Sequence, residues 1–107
     1  MNPAVTITRV ASVVLDDEAS ALTLEELAAA CAVEPRWVVE RVEAGYIGDF
    51  VAVQHTRWRF AGAELARARR LASLERDMDA NPELAALVAD LIEEVQALRR
   101  SVRAQRR

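Results

Sequence analysis

Residues 22–45 read LTLEELAAACAVEPRWVVERVEAG, and two helix starts are written into them. Thr23-Leu24-Glu25-Glu26 has the capping-box pattern, in which the Thr23 hydroxyl accepts from the backbone of Glu26 and the Glu26 carboxylate reaches back. Leu22 and Leu27 stand at the N′ and N4 positions, where they form the accompanying hydrophobic staple. The pattern predicts a helix from Leu24 to about Cys31, with Ala32 in the turn. Glu34-Pro35 opens a second helix. Proline at the first helical position has no N–H to leave unpaired, and the Glu34 carboxylate lies at the positive end of the helix dipole. This helix runs to about Ala44, and Gly45 stops it. Two short helices joined by a three- or four-residue turn make a helix-turn-helix. Leu24, Leu27, Ala28, Cys31, Val33, Val38 and Val42 fall where the two helices pack on each other. Cys31 therefore reads as a small core residue, not as a reactive thiol.

Upstream of this unit, Val5-Thr6-Ile7-Thr8 alternates at period two and reads as a short strand. Arg9 to Leu15 fits a strand or a helix, and Asp16 to Ser20 is a polar connection. Downstream, Phe50-Val51-Ala52-Val53 and Arg57-Trp58-Arg59-Phe60 predict a hairpin around Gln54-His55-Thr56, the wing of a winged helix-turn-helix. Trp58 and Phe60 share one face, and core packing explains them better than base stacking. Arg57 and Arg59 share the other, where a solvated face is the ordinary outcome and phosphate contact the sharper one. A third helix follows from about Gly62 to Ala80, with Leu65, Ala68, Leu71, Ala72, Leu74 and Met78 as its apolar stripe. Asn81-Pro82-Glu83 breaks it and opens a fourth helix, which runs to a frayed basic end at Arg99 to Arg107.

In the fourth helix Leu84, Val88, Leu91, Val95, Leu98 and Val102 are spaced 4, 3, 4, 3, 4, a strict heptad seam. One set of seam positions is all Val and the other all Leu, the combination that favours two parallel strands. Leu87 and Ile92 lie off the seam and are expected to pack on the chain's own domain. The seam is about 28 Å long, short for an autonomous coiled coil. An intrachain core helix is thus the alternative to a dimer interface.

The chain has 107 residues, 52% hydrophobic and 29% charged, which is a globular composition for one small domain. Residues 1–80 are expected to form the winged helix-turn-helix domain and residues 81–107 the coiled-coil-like helix with its basic tail. No uncharged run exceeds the eight residues from Met1 to Thr8, far short of the roughly 20 that a membrane helix needs. No secretory signal pattern precedes the first domain, so a cytoplasmic protein is expected. Cys31 and His55 are the only cysteine and the only histidine, which leaves neither an internal disulfide nor a Cys/His zinc site. Three glycines make no phosphate loop, and His55, between Gln54 and Thr56, reads as a solvent-exposed turn residue. No catalytic residue, metal or cofactor is expected. The net charge of −3 hides an asymmetry. Residues 1–56 carry three Arg against nine acids, a balance of −6, and residues 57–107 carry eleven Arg against eight, a balance of +3.

A winged helix-turn-helix followed by one dimerising helix resembles the MerR-like superfamily. Thr23 to Ile47 look like its helix-turn-helix and Trp58-Arg59-Phe60 like its wing. Within it the chain is most similar to the CbpM-type chaperone modulators. The residues that carry this are Val33-Glu34-Pro35, Trp58-Arg59-Phe60, Ala68-Arg69-Arg70-Leu71 and Asp77-Met78-Asp79-Ala80-Asn81, with Asp90-Leu91-Ile92-Glu93-Glu94 and Leu98-Arg99 in the last helix. Ala32 stands where this turn commonly has glycine. The resemblance implies a mainly α fold, a MerR-like winged helix-turn-helix with a short β-hairpin wing and a C-terminal dimerisation helix. It implies a homodimer too, with dimer helices that in this superfamily usually run antiparallel, against the parallel preference of the Val/Leu seam. It further implies binding to the J-domain of a CbpA- or DnaJ-like co-chaperone, inhibiting its action with Hsp70 and its DNA binding.

The charges of the second helix agree with a protein partner. Glu34 to Asp49 contains Glu34, Glu40, Glu43 and Asp49 against Arg36 and Arg41, a balance of −2. Carboxylates facing a phosphate backbone repel it, whereas a basic J-domain helix complements them. Trp37, early in this helix, is either an interface anchor or packs against the helix from Gly62. The candidate partner surface is therefore Glu34, Trp37, Glu40, Arg41, Glu43 and Asp49, and the candidate dimer interface is the six-residue seam. The rival reading is a MerR-type DNA-binding regulator using Arg57, Arg59, Arg67, Arg69 and Arg70, five Arg in a segment with one Glu. A toxin–antitoxin or phage accessory module of the same fold is a third.

Overall fold

The computed structural model describes residues 21–50 and 53–106. The strand expected at Val5–Thr8 and the segment Arg9–Ser20 lie outside the described residues, as do Val51 and Ala52. Helix α1 spans Leu24–Cys31 and closes both halves of its capping box. The Glu26 N–H donates to Thr23 Oγ1 at 3.1 Å, and the Thr23 N–H donates to Glu26 Oε1 at 2.9 Å. Ala32 then turns the chain from the left-handed region (φ 57°, ψ 44°), and the N–H groups of Ala32 and Val33 close on the carbonyls of Ala29 and Ala28. Helix α2 spans Pro35–Glu43, with proline at its first position. Gly45, at φ 85°, ends it, and the Tyr46 N–H returns to the Arg41 carbonyl.

Val38 and Val42, one turn apart, are fully buried, and with Leu27, Ile47, Leu71, Trp58 and Phe60 they form the centre of the core. Leu24, Ala28 and Cys31 line the α1 side of that core, as the sequence indicates, and Val33 packs at its edge. Helix α1 packs on α2 and on α3 (Gly62–Asp77), and α3 packs in turn on α4 (Pro82–Gln105).

The expected hairpin wing does not form among the described residues. Phe60 instead exchanges both backbone hydrogen bonds with Leu22, 2.8 Å each way, in an isolated antiparallel bridge. His55–Arg57 coil into one 3₁₀ turn. The reason lies in the aromatics: the Trp58 indole N–H donates to the carbonyls of both Phe50 and Val53 (3.1 and 2.9 Å), so a side chain, not a ladder, closes the loop. Phe50 packs edge-on against Phe60 and folds back over Gly48, where any Cβ would collide with its ring. The alternation itself is respected: Trp58 and Phe60 are buried while Arg57 and Arg59 are exposed.

Helix α3 is shorter than expected, ending at Asp77 and not at Ala80, because Asp79 takes the left-handed region (φ 55°). Met78 is exposed as a result and leaves the apolar stripe. Asn81 caps α4, its Oδ1 accepting from the Leu84 N–H at 2.8 Å. Against expectation the basic end is not frayed, and α4 continues through Gln105. The face of α4 that meets the domain is made of Ala85, Ala86 and Ala89, all buried. Leu87, expected on that face, is 55% exposed, because the three alanines occupy the opposite side of the helix. Ile92 is half-buried.

Candidate functional site

Because Val38 and Val42 point inward, the helical repeat turns Glu34, Arg36, Glu40 and Glu43 outward, and all four are exposed. Asp49, in the following loop, is exposed too. The two arginines of α2 do not balance these acids equally. Arg36 lies one turn from Glu40, 3.7 Å away, on the surface. Arg41 turns away from it and its side chain is only 11% exposed. Its Nε and Nη2 donate to the two oxygens of Glu75 on α3, at 3.1 and 2.7 Å, while Nη1 donates to Glu40 at 3.0 Å. Glu75 Oε1 also accepts from the Trp37 indole N–H at 2.9 Å, and the Arg41 guanidinium stacks 4.6 Å from the centre of the Trp37 ring.

Two sequence-level candidates thus turn inward. Trp37 is half-buried with its one donor committed to α3, which places it as the brace between α2 and α3. Arg41 is committed with it. Glu75, the residue that organises both, carries no local signal in the sequence and becomes visible only once α3 lies against α2. The outward charge of α2 and its loop is then Glu34, Glu40, Glu43 and Asp49 against Arg36, with Glu40 paired to both Arg36 and Arg41. His55 approaches this surface at one edge, with Nε2 3.5 Å from Glu43 Oε2 and its ring packed at a tilt against Trp58, the ring centres 4.5 Å apart.

The rival basic set is not brought together as five free arginines. Arg57, Arg59 and Arg69 are exposed and Arg70 is half-buried. Arg59 folds back onto the carbonyls of Thr56 and Trp58. Arg67, with 16% of its side chain exposed, braces three parts of the molecule. It donates to the Tyr46 carbonyl after α2, and to Asp90 and Glu93 on α4 at 2.9 and 3.0 Å.

The six seam residues all lie on α4. Leu84, Leu91, Val95, Leu98 and Val102 are 45–58% exposed, and Val88 is half-buried. Elsewhere, burial pushes the Cys31 thiol up to about 11 from its ordinary 9.0, although the nearby charges of Arg69 and Arg76 pull it down. Among the described residues no three His, Cys, Asp or Glu side chains are grouped to hold a metal, and no helix is long and apolar enough to cross a membrane.

With this helix-turn-helix geometry in place, residues 22–107 match the model of the MerR HTH family regulatory proteins, and the chain belongs to that family. No curated protein and no solved structure matches it.

Proposed function

We propose that this MerR HTH family protein regulates by binding another protein: it occludes the J-domain of a CbpA- or DnaJ-like co-chaperone, in the manner of the CbpM-type modulators it resembles. The observation that carries the reading is the outer face of α2. In a DNA-binding helix-turn-helix the second helix enters the major groove. Here that helix presents Glu34, Glu40 and Glu43, and one of its two arginines is held inward by Glu75. Phosphates, one charge per roughly 1.7 Å of duplex axis, repel such a face. A basic helix that docks Hsp70 attracts it, and steered association follows. Inhibition is then competition: the co-chaperone helix cannot meet Hsp70 while it lies on α2.

Calorimetry against the J-domain of a co-chaperone from the same genome tests this. Glu40→Arg is expected to weaken binding about tenfold, mainly through slower association. Added salt weakens the unmodified complex in the same direction by screening. Unchanged affinity for both Glu40→Arg and Glu43→Arg moves the site away from α2. The second arm is anisotropy with the protein's own promoter duplex and a scrambled control. Binding to either is expected to be weaker than about 10 µM at physiological salt. Nanomolar, sequence-selective binding would instead make the protein a transcription factor working through Arg57, Arg59, Arg69 and Arg70.

A further inference from the structure

Helix α4 has a third face, which belongs neither to the alanines that meet α3 nor to the heptad seam. Glu83, Leu87, Asp90 and Glu94 are spaced 4, 3, 4, and all four are exposed. At about 3.6 residues per turn their stripe centres roughly 120° round the helix from the alanines and roughly 90° from the seam. Across from the first turns of this stripe, Ala44-Gly45-Tyr46 at the end of α2 form the other wall of an open trough of about 700 Å³. The middle of the trough is apolar, with Leu87 55% exposed and Tyr46 half-buried. Its rim is acidic. Arg67 reaches into it from α3 and meets both Asp90 and Glu93, so one negative charge there is left over. Glu83 and Glu94 have no ion pair among the described residues.

We infer that this trough is a second docking site for the protein that α2 holds, and that it takes a cationic segment carrying one large apolar side chain. The inference rests on the reading of α2 as a partner surface. Charge sets the sign of the occupant. An acidic or phosphorylated segment meets Glu83 and the surplus carboxylate, and Arg67 offers it nothing, because its Nε, Nη1 and Nη2 are already held by Tyr46, Glu93 and Asp90. A Lys or Arg finds Glu83 at one end of the trough and Asp90 at the other. Hydrophobicity adds the anchor: an aliphatic or aromatic side chain seated between Tyr46 and Leu87 removes both from water. Shape favours a segment over a small molecule, since Ala44, Gly45, Glu83, Leu87 and Asp90 are all exposed and the trough encloses nothing. Continuity assigns the segment to the protein on α2. Glu43, the last residue of that helix, runs directly into the Ala44-Gly45-Tyr46 wall, so acidic surface extends from α2 into the trough. The two sites then divide the kinetics. Exposed charges on α2 steer the partner in, and apolar contact at Leu87 holds it there.

Binding of the full-length co-chaperone from the same genome to the immobilised full chain, followed in real time, tests this division. Leu87→Arg is expected to speed dissociation about thirtyfold and Leu87→Glu only about fivefold, since both lose the apolar contact but only arginine repels a cationic segment. Glu83→Gln, which removes a rim charge without adding one, is expected to speed it about threefold. Slower association is expected of Glu40→Arg and not of Leu87→Glu. Position 87 is exposed, and a melting temperature within about 3 °C of the unmodified chain separates loss of binding from loss of fold. Unchanged dissociation in both Leu87 variants, with association still slowed by Glu40→Arg, would overturn the trough and leave the reading of α2 standing. Faster dissociation with Leu87→Glu than with Leu87→Arg would overturn the cationic occupant. No binding by the unmodified chain removes the reading of α2, and the inference with it. An altered association state of Leu87→Glu by sedimentation would overturn the inference by assigning the trough to a second copy of this chain.

Discussion

Ala32 carries the whole turn of the helix-turn-helix on one left-handed residue (φ 57°). A Cβ in that region costs about 1–2 kcal/mol. Ala32→Gly removes the cost, but glycine also gains freedom in the unfolded chain, worth about 0.5–1 kcal/mol against it. The net expectation is a stabilisation of about 0.5–1 kcal/mol, a rise in melting temperature of about 2–6 °C. An unchanged or lower melting temperature would mean that the turn relaxes around alanine. Cys31 makes a pH-dependent contribution of known sign. Its folded thiol titrates near 11 and its unfolded thiol near 9.0, so below about pH 9 both states hold the proton and stability is unaffected. Between about pH 9 and 11 only the unfolded state releases it, and stability falls with rising pH. Denaturation of the unmodified chain and of Cys31→Ala across this window separates the thiol from the arginines, and parallel slopes would remove Cys31 from the account.

At the scale of elements, side-chain braces add to the buried apolar core in fixing how the helices meet. Helix α2 meets α3 through Glu75, whose carboxylate accepts from Trp37 and twice from Arg41. Removing it leaves the Arg41 guanidinium, with only 11% of its side chain reaching solvent, a single remaining carboxylate partner in Glu40. Glu75→Ala is therefore expected to cost about 2–3 kcal/mol, discounted from a fully buried pair, with a red shift of Trp37 emission. Urea denaturation reads the energy, and a loss below about 0.5 kcal/mol would show that the brace is a surface pair. Helix α4 shows the same economy, since three alanines suffice to seat it on α3 while Arg67 ties it to the end of α2. The α1 and α2 boundaries and the Asn81 cap could be read in advance because each depends on residues within one or two turns. The inward face of α4 could not, because it depends on which neighbour that face meets, and the end of α3 was missed because nothing in the pattern marks the left-handed turn at Asp79.

Over the whole molecule, charge is sorted by place. The outer surface of α2 is acidic, while Arg99, Arg100, Arg103 and Arg106 make the far end of α4 basic, all of them exposed. A net charge of −3 conceals this separation. The principal extents of 44 × 33 × 28 Å match a small domain with a helix reaching beyond it. The acidic surface and the apolar stripe thus lie on different elements.

What the sequence determined alone was a set of local features: the capping box at Thr23, proline opening α2, the turn at Ala32 between them and the heptad rhythm of α4. These follow from hydrogen bonds and rotations spanning at most a few residues, so their causes are contiguous in the chain. The alternation at Trp58–Phe60 also told truly which side chains are buried. What the tertiary structure decided was the company those side chains keep. Phe60 has strand character that the sequence directs toward Phe50–Val53, but Leu22, nearly forty residues earlier, takes its N–H and C=O in place of that hairpin neighbour. Trp37 and Arg41 could have faced outward until Glu75, on another helix, supplied the acceptors that hold them in. Periodicity specifies a face. Only packing specifies what it meets, because a buried donor is satisfied by whichever acceptor the fold brings within about 3 Å.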